Sequence, residues 1–362
     1  MAIYRLPDRF VRAFRTGNVP SAGACAVLSA QLQTARNPLR TADTTAAGAS
    51  TWRHRGPRAL IFILLTIAPI SIFGASKGGH LPQLPGYKAV PVHYGPLNKM
   101  IMSVRINGQP ANLLVDTGSN EIILDADAAE SFGVRPSQRG LRYIGFTEIS
   151  GRLLPVGFAQ SLSAGSMSLG SSPVVLRNSS RSDTGQAHVD GVLGLQTLFR
   201  HKAVINCRTK FVFFKVDQAR QTKLVAAALS AKFTRVPLRR EESGALTVPC
   251  SVRGQSARLL VDTGAFVTTF GEAFFRSLGI ASQPTRVSAH FSNGAAKHVS
   301  AAQINDLKIG DFKAPPEKFG VTALPEFALR QGSTRISGIL GMDMLYIWHA
   351  IIDLDSMNLF LK

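Results

Sequence analysis

The sequence predicts a mostly β protein built from two copies of one lobe. Three observations carry that expectation. The hexapeptide LLVDTG stands at Leu113–Gly118 and again at Leu259–Gly264. RINGQPANLLVDTGS (105–119) overlies SVRGQSARLLVDTGA (251–265) without a gap, with nine of fifteen positions identical. The arms on either side of each copy alternate apolar and polar residues, which is the period of a strand.

The repeat extends well beyond the hexapeptide. SFGV (131–134) falls opposite SLGI (277–280), and Val90-Pro91-Val92 opposite Val236-Pro237-Leu238. VLGLQTLFRHKAVINCRTKFVFFK (192–215) overlies ILGMDMLYIWHAIIDLDSMNLFLK (339–362), again ungapped. A repeat of this length is a duplicated domain, not a solenoid. It sets lobe 1 at 88–216 and lobe 2 at 234–362, joined by the Ala/Lys/Gln-rich linker 217–233, for which a helix is expected.

Each element follows from its local pattern. MIMSVRING and LTVPCSVRG alternate into a glycine turn, and NLLVD and RLLVD read as short buried strands. SNG (292–294) is a hairpin signal between alternating arms. Short helices are expected after each DTG and each LG. LDADA (124–128) superficially suggests a two-aspartate nucleophile strand, but Gly271 and Ala273 stand opposite Asp125 and Asp127. A helix start with acids near its N-terminus fits better.

The N-terminal region reads differently. Residues 1–57 are rich in Arg, Ala, Ser and Thr without a sustained apolar period, and an unstructured leader is expected. Residues 58–76 hold the apolar run 59–75, with Arg53, Arg55 and Arg58 before it and Gly74, Ala75 and Ser76 after it. Seventeen residues sit at the lower edge for a bilayer span and slightly above a usual signal core. The segment is therefore a signal peptide or a membrane anchor, with the Arg-rich side cytoplasmic and everything after Lys77 exported. The expected location is the periplasm or cell envelope, with the inner membrane touched only through 59–75.

Charge and cysteines exclude more than they assign. The formal charge is +19, of which residues 1–76 hold +7 and the remainder +12, without a block of like charges. A mildly basic solvated surface explains this better than a nucleic-acid site. Cys207 falls opposite Leu354 and Cys250 opposite Val104, so both read as small buried hydrophobes. The eight His residues show no metal-binding spacing. No nucleophile elbow or phosphate loop appears. No metal or other cofactor is expected.

What remains is one acid per lobe, Asp116 and Asp262, each ending a buried strand and followed by Thr-Gly. Glycine lets the backbone fold back onto a carboxylate. If the lobes pack about an approximate two-fold axis, the acids meet there, cannot both ionise cheaply and share a proton. Such a pair draws a proton from water and gives one to a carbonyl under attack.

These residues resemble the retropepsin/pepsin clan of aspartic peptidases, in the bacterial retropepsin-like form with two tandem lobes on one chain. The resemblance spans about 88–362. It implies two pseudo-symmetric acid-protease β-barrel lobes with a central cleft and the dyad Asp116/Asp262. It implies supporting roles for Thr117, Gly118, Ser119 and Gly194 in lobe 1, and for Thr263, Gly264, Ala265 and Gly341 in lobe 2. Flap hairpins lie between the DTG and LG elements in that clan. Position then points to 142–158, with Tyr143, Gly145 and Phe146, and to 288–301, with Phe291, Asn293 and Gly294. Ser119 in lobe 1 faces Ala265 in lobe 2, and a Ser119 hydroxyl donating to Asp116 would keep that acid ionised while Asp262 holds the proton. The expected activity is endopeptidase action on a protein or peptide substrate, for which a monomer suffices. The alternative is a retropepsin-like peptide-binding module without catalysis.

Overall fold

The computed structural model describes residues 29–31, 83–95, 98–136, 146–149, 152–178, 189–291, 296–331 and 334–362. The expected export segment and the linked anchor question lie outside them. Among the described residues no helix is long and apolar enough to cross a membrane. Part of the leader departs from the expectation of no structure: Ser29–Gln31 form a strand antiparallel to Ser288–His290. A sheet edge offers unpaired N–H and C=O groups to any extended segment, which is the physical reason such pairing needs no strong sequence signal.

Both lobes repeat one plan. In lobe 1 the strand Met100–Ile106 turns at Asn107 and Gly108 into Gln109–Val115. In lobe 2 Leu246–Val252 turns at Arg253 and Gly254 into Gln255–Val261. All four turn residues have positive φ, which the tight reversal requires. The second strand of each hairpin then pairs in parallel with the strand before the later glycine: Leu113 to Val115 beside Gly191 to Leu193, and Leu259 to Val261 beside Gly338 to Leu340. Parallel partners from distant parts of the chain carry the two halves of each site to one place.

Short helices follow where expected: Ala126–Ser131 and Leu195–Arg200 in lobe 1, Glu272–Ser277 and Met342–Ile347 in lobe 2. Asp125 caps the first of these, its Oδ1 accepting the Asp127 N–H at 3.0 Å, so LDADA is a helix start. Within the linker, Leu224–Ser230 is helical.

The lobes share a six-stranded sheet, three strands from each. Val204–Asn206 of lobe 1 lies antiparallel to Ile351–Asp353 of lobe 2, and these are the central pair. Tyr87–Pro91 and Thr234–Pro237 form its two edges. A large core cluster runs through both lobes, with Leu113, Val115, Leu259 and Val261 among its members. Alternation puts Leu114 and Leu260 on the opposite face, the face of the aspartates. There they anchor two small clusters: Leu114, Ile123, Val175 and Val192 in lobe 1, and Leu260, Ala265, Phe291 and Ile339 with neighbours in lobe 2. Cys207 and Cys250 are free and buried. Burial pushes both thiols up to about 12.

Candidate active site

Asp116 and Asp262 end their strands at the pseudo-axis, and both are fully buried. The main chain of each is fixed from its own lobe: Asp116 N–H donates to Leu193 O at 3.1 Å, and Asp262 N–H to Leu340 O at 3.0 Å. The threonines cross between lobes. Thr117 N–H donates to Thr263 Oγ1 and Thr263 N–H to Thr117 Oγ1, each at 3.0 Å. Thr117 Oγ1 then donates to Val261 O at 2.8 Å, and Thr263 Oγ1 to Val115 O at 2.7 Å. Four buried reciprocal bonds lock the loops together, each hydroxyl serving as donor and acceptor at once.

The glycines explain how close the acids come. A Cβ on Gly118 would lie 2.4 Å from Asp262 Cγ, and one on Gly264 2.4 Å from Asp116 Cγ. Each carboxyl therefore rests on the other lobe's glycine. Gly194 and Gly341 sit beneath the loops in the same way: a Cβ would meet Glu121 O at 2.2 Å and Val267 C at 2.9 Å. Just past them, Leu195 N–H donates to Ser119 O at 2.7 Å and Met342 N–H to Ala265 O at 2.8 Å.

The electrostatics distinguish the two acids. Gly118 N–H donates to Asp116 Oδ1 at 2.7 Å; Asp262 Oδ1 receives Gly264 N–H at 2.8 Å and Ala265 N–H at 2.9 Å. Neither Oδ2 finds a protein donor while both groups are ionised, but the carboxyls are close enough to hydrogen-bond each other once a proton lies between them. Burial raises both. Asp262 goes well above the carboxylate range, pushed further by the charge of Asp116. Asp116 is raised as well, opposed by a hydrogen bond from Asp262, the Gly118 N–H and the Arg177 cation, which favour its ionised form.

Ser119 does not supply the hydrogen bond expected of it. Ser119 Oγ donates to Glu121 O at 3.4 Å, turned away from Asp116. The loop carbonyl lies within two residues and captures the short hydroxyl first. Phe291, expected in a flap, is buried in the lobe 2 cluster beside Ala265. Its hairpin arms Gln283–His290 and Ala296–Ile304 pair antiparallel. Phe146 opens the strand Phe146–Ile149, which pairs with Arg152 to Pro155. Tyr143, Gly145, Asn293 and Gly294 lie outside the described residues.

A family model described as aspartyl protease matches the chain twice, at residues 102–197 and 248–344. The chain belongs to the aspartyl protease family. Each match contains one Asp-Thr-Gly loop and its supporting glycine. Among solved structures, this family member is similar to the aspartic proteinase from Irpex lacteus, at 14% identity over 76% of this chain and 97% of that one, with a TM-score of 0.43. It is also similar to Basic 7S globulin from soybean, at 10% identity over 76% of this chain and 94% of that one, with a TM-score of 0.45. No curated protein matches it. Among its described residues, no group of His, Cys, Asp or Glu is arranged to hold a metal ion.

Three contacts of this protease fold escaped sequence reasoning. Asp343 Oδ1 accepts Thr268 N–H at 2.8 Å, Thr268 Oγ1–H at 2.7 Å and Met344 N–H at 2.8 Å. Thr268 Oγ1 in turn accepts Gly341 N–H at 3.0 Å, so this pair ties the Asp262 loop to its glycine element. Asn120, next to Ser119, donates from Nδ2 to Ser243 O across the lobes at 2.6 Å. Arg177 ends the strand Met167–Arg177 near Asp116. The available signal was a mismatch between repeats: Ile122 and Gln196 stand where lobe 2 has Thr268 and Asp343, and Phe266 where lobe 1 has Asn120.

Proposed function

We propose that this protein is an aspartic endopeptidase in which Asp116 and Asp262 activate a water against a peptide bond. The single observation that supports this most is the interlocked pair of buried carboxyls, each seated on the other lobe's glycine. Asp116, the more easily ionised, takes a proton from water as the water oxygen bonds to the carbonyl carbon. Asp262 gives its proton to the carbonyl oxygen. The tetrahedral species collapses as the amine nitrogen takes the proton held on Asp116, the C–N bond breaks, and the new acid returns a proton to Asp262. Gly118, Gly264 and Ala265 N–H groups keep each Oδ1 fixed, which leaves both Oδ2 atoms for the chemistry.

Pepstatin-sensitive cleavage of a peptide library by the wild type tests the reading, beside Asp116→Asn and Asp262→Asn. Each variant is expected to lose at least about a thousandfold in kcat/KM. The pH profile should be a bell. Activity falls on the acid side as Asp116 takes up a proton and on the alkaline side as Asp262 gives one up, and both limbs belong to the pair. Equal activity in all three proteins would leave the non-catalytic peptide-binding module.

The proposal extends to location. Arg53, Arg55 and Arg58 before the apolar run 59–75 support export of both lobes to the cell envelope. N-terminal sequencing after fractionation distinguishes a start just after residue 74 from an intact anchor, and lobes recovered in the cytoplasm would overturn it.

A further inference from the structure

We infer that Arg177 makes the cleft selective for acidic peptides, by receiving a substrate carboxylate on the lobe 1 side of the dyad. The inference rests on the reading of the cleft as a peptide-binding site. The strand Met167–Arg177 runs parallel to Ile122–Asp125, with Val175 beside Ile123 and Arg177 beside Asp125. Val174 and Leu176 point into the main core, whereas Val175 belongs to the cluster of Leu114, Ile123 and Val192. Alternation along the strand puts Arg177 on the face of Val175, which is the face of Leu114 and Asp116. Its cation is near enough to Asp116 to favour that carboxylate.

The fold itself does not ask for a cation there. In lobe 2 the matching parallel pair sets Gly271 beside Thr322. Thr322 is buried, and its hydroxyl donates to His298 O at 2.7 Å. The same architecture thus closes with a neutral, self-satisfied residue where lobe 1 carries a half-buried Arg. Among the described residues the Arg177 side chain makes no hydrogen bond or salt bridge, and Asp116 is the acid its charge acts on. Asp125, opposite it in register, uses Oδ1 to cap the following helix. A guanidinium in that position keeps its planar set of donors for a carboxylate.

Charge balance selects the ligand. The dyad carries one net negative charge in its working form, so it repels an acidic side chain bound next to it. A cation between the two offsets that repulsion and adds a directed contact. A basic side chain bound at the same place is repelled by Arg177 itself. The net charge of +12 on the chain after residue 76 draws acidic polypeptides in the same sense.

The test uses peptide sets identical except for Glu, Gln or Lys at each position around the scissile bond, at low ionic strength. The wild type should prefer Glu to Gln by roughly three- to tenfold in kcat/KM at one position at least. Arg177→Gln should bring that ratio to about one, and Arg177→Lys should keep part of it. Binding of the same peptides to Asp262→Asn protein, with and without Arg177→Gln, is measured by fluorescence anisotropy. A Glu preference in binding that depends on Arg177 supports the inference even if no peptide is cut, in which case only the peptidase proposal falls. A wild type indifferent to Glu and Gln at every position, or a preference that survives Arg177→Gln, overturns it.

Discussion

A glycine decides how near two acids can stand. The Cα of Gly118 packs against the Asp262 carboxyl, and a methyl group there would lie 2.4 Å from Cγ and from Oδ2. Both neighbours are held: Asp262 by Gly264 and Ala265 N–H groups, Gly118 by its bond to Asp116 Oδ1. Gly118→Ala therefore cannot be absorbed by a rotamer change and must part the carboxyls. A displacement of about 1 Å at reacting groups costs on the order of a hundredfold in rate. The variant is expected to fold, with kcat/KM down by at least that factor and the two limbs of its pH profile drawn closer to an ordinary carboxylate. Calorimetry and the pH–rate profile check this, and an unaltered profile would mean that the carboxyls do not depend on that contact. Residues of this kind were legible because Asp, Thr and Gly are adjacent in sequence and the loop is local. Arg177 was not, since its relation to Asp116 exists only once two strands lie in register.

At the scale of elements, the helix Met342–Ile347 is tied to the Asp262 loop through Asp343, whose partner Thr268 lies 75 positions away. Nothing local in LGMD or VTTF announces that bond, which is why only the mismatch with Ile122 and Gln196 hinted at it. Burial raises the Asp343 carboxyl to about 6 despite the Thr268 and Met344 donors. The folded protein then keeps a proton between roughly pH 4 and pH 6 that the unfolded chain has already released. Its contribution to stability is full below about pH 4 and is lost as pH rises through about 6. Asp343→Asn removes this component, on the order of 3 kcal/mol across that window, while Oδ1 can still accept from Thr268. The dyad acids are raised too and shift stability in the same direction, so the difference between wild type and variant isolates Asp343. Urea unfolding at pH 4, 5, 6 and 7 measures it, and parallel stability curves for the two proteins would count against the assignment.

For the whole molecule, the question is whether two lobes behave as one. The repeat made two lobes legible, yet it could not show how they join, because the joining strands look the same as any apolar strand. The central pair of the shared sheet answers it: Ile205 lies opposite Ile352, both wholly buried, with one side chain from each lobe. The reciprocal threonine bonds form a second joint at the dyad. Two joints, one in the shared sheet and one at the dyad, leave neither lobe a complete core or a complete site without the other. Unfolding should consequently be a single transition in which dyad and sheet are lost together. Ile205→Ala lies in lobe 1 but should lower the unfolding midpoint reported by Trp348 fluorescence in lobe 2, by about 2–4 kcal/mol in stability. Trp348 packs against Phe312 in lobe 2, with ring centroids 5.3 Å apart, so it reports on that lobe. Two separated transitions, or a Trp348 signal indifferent to Ile205, would show that the lobes unfold independently and that the dyad is held by the loops alone.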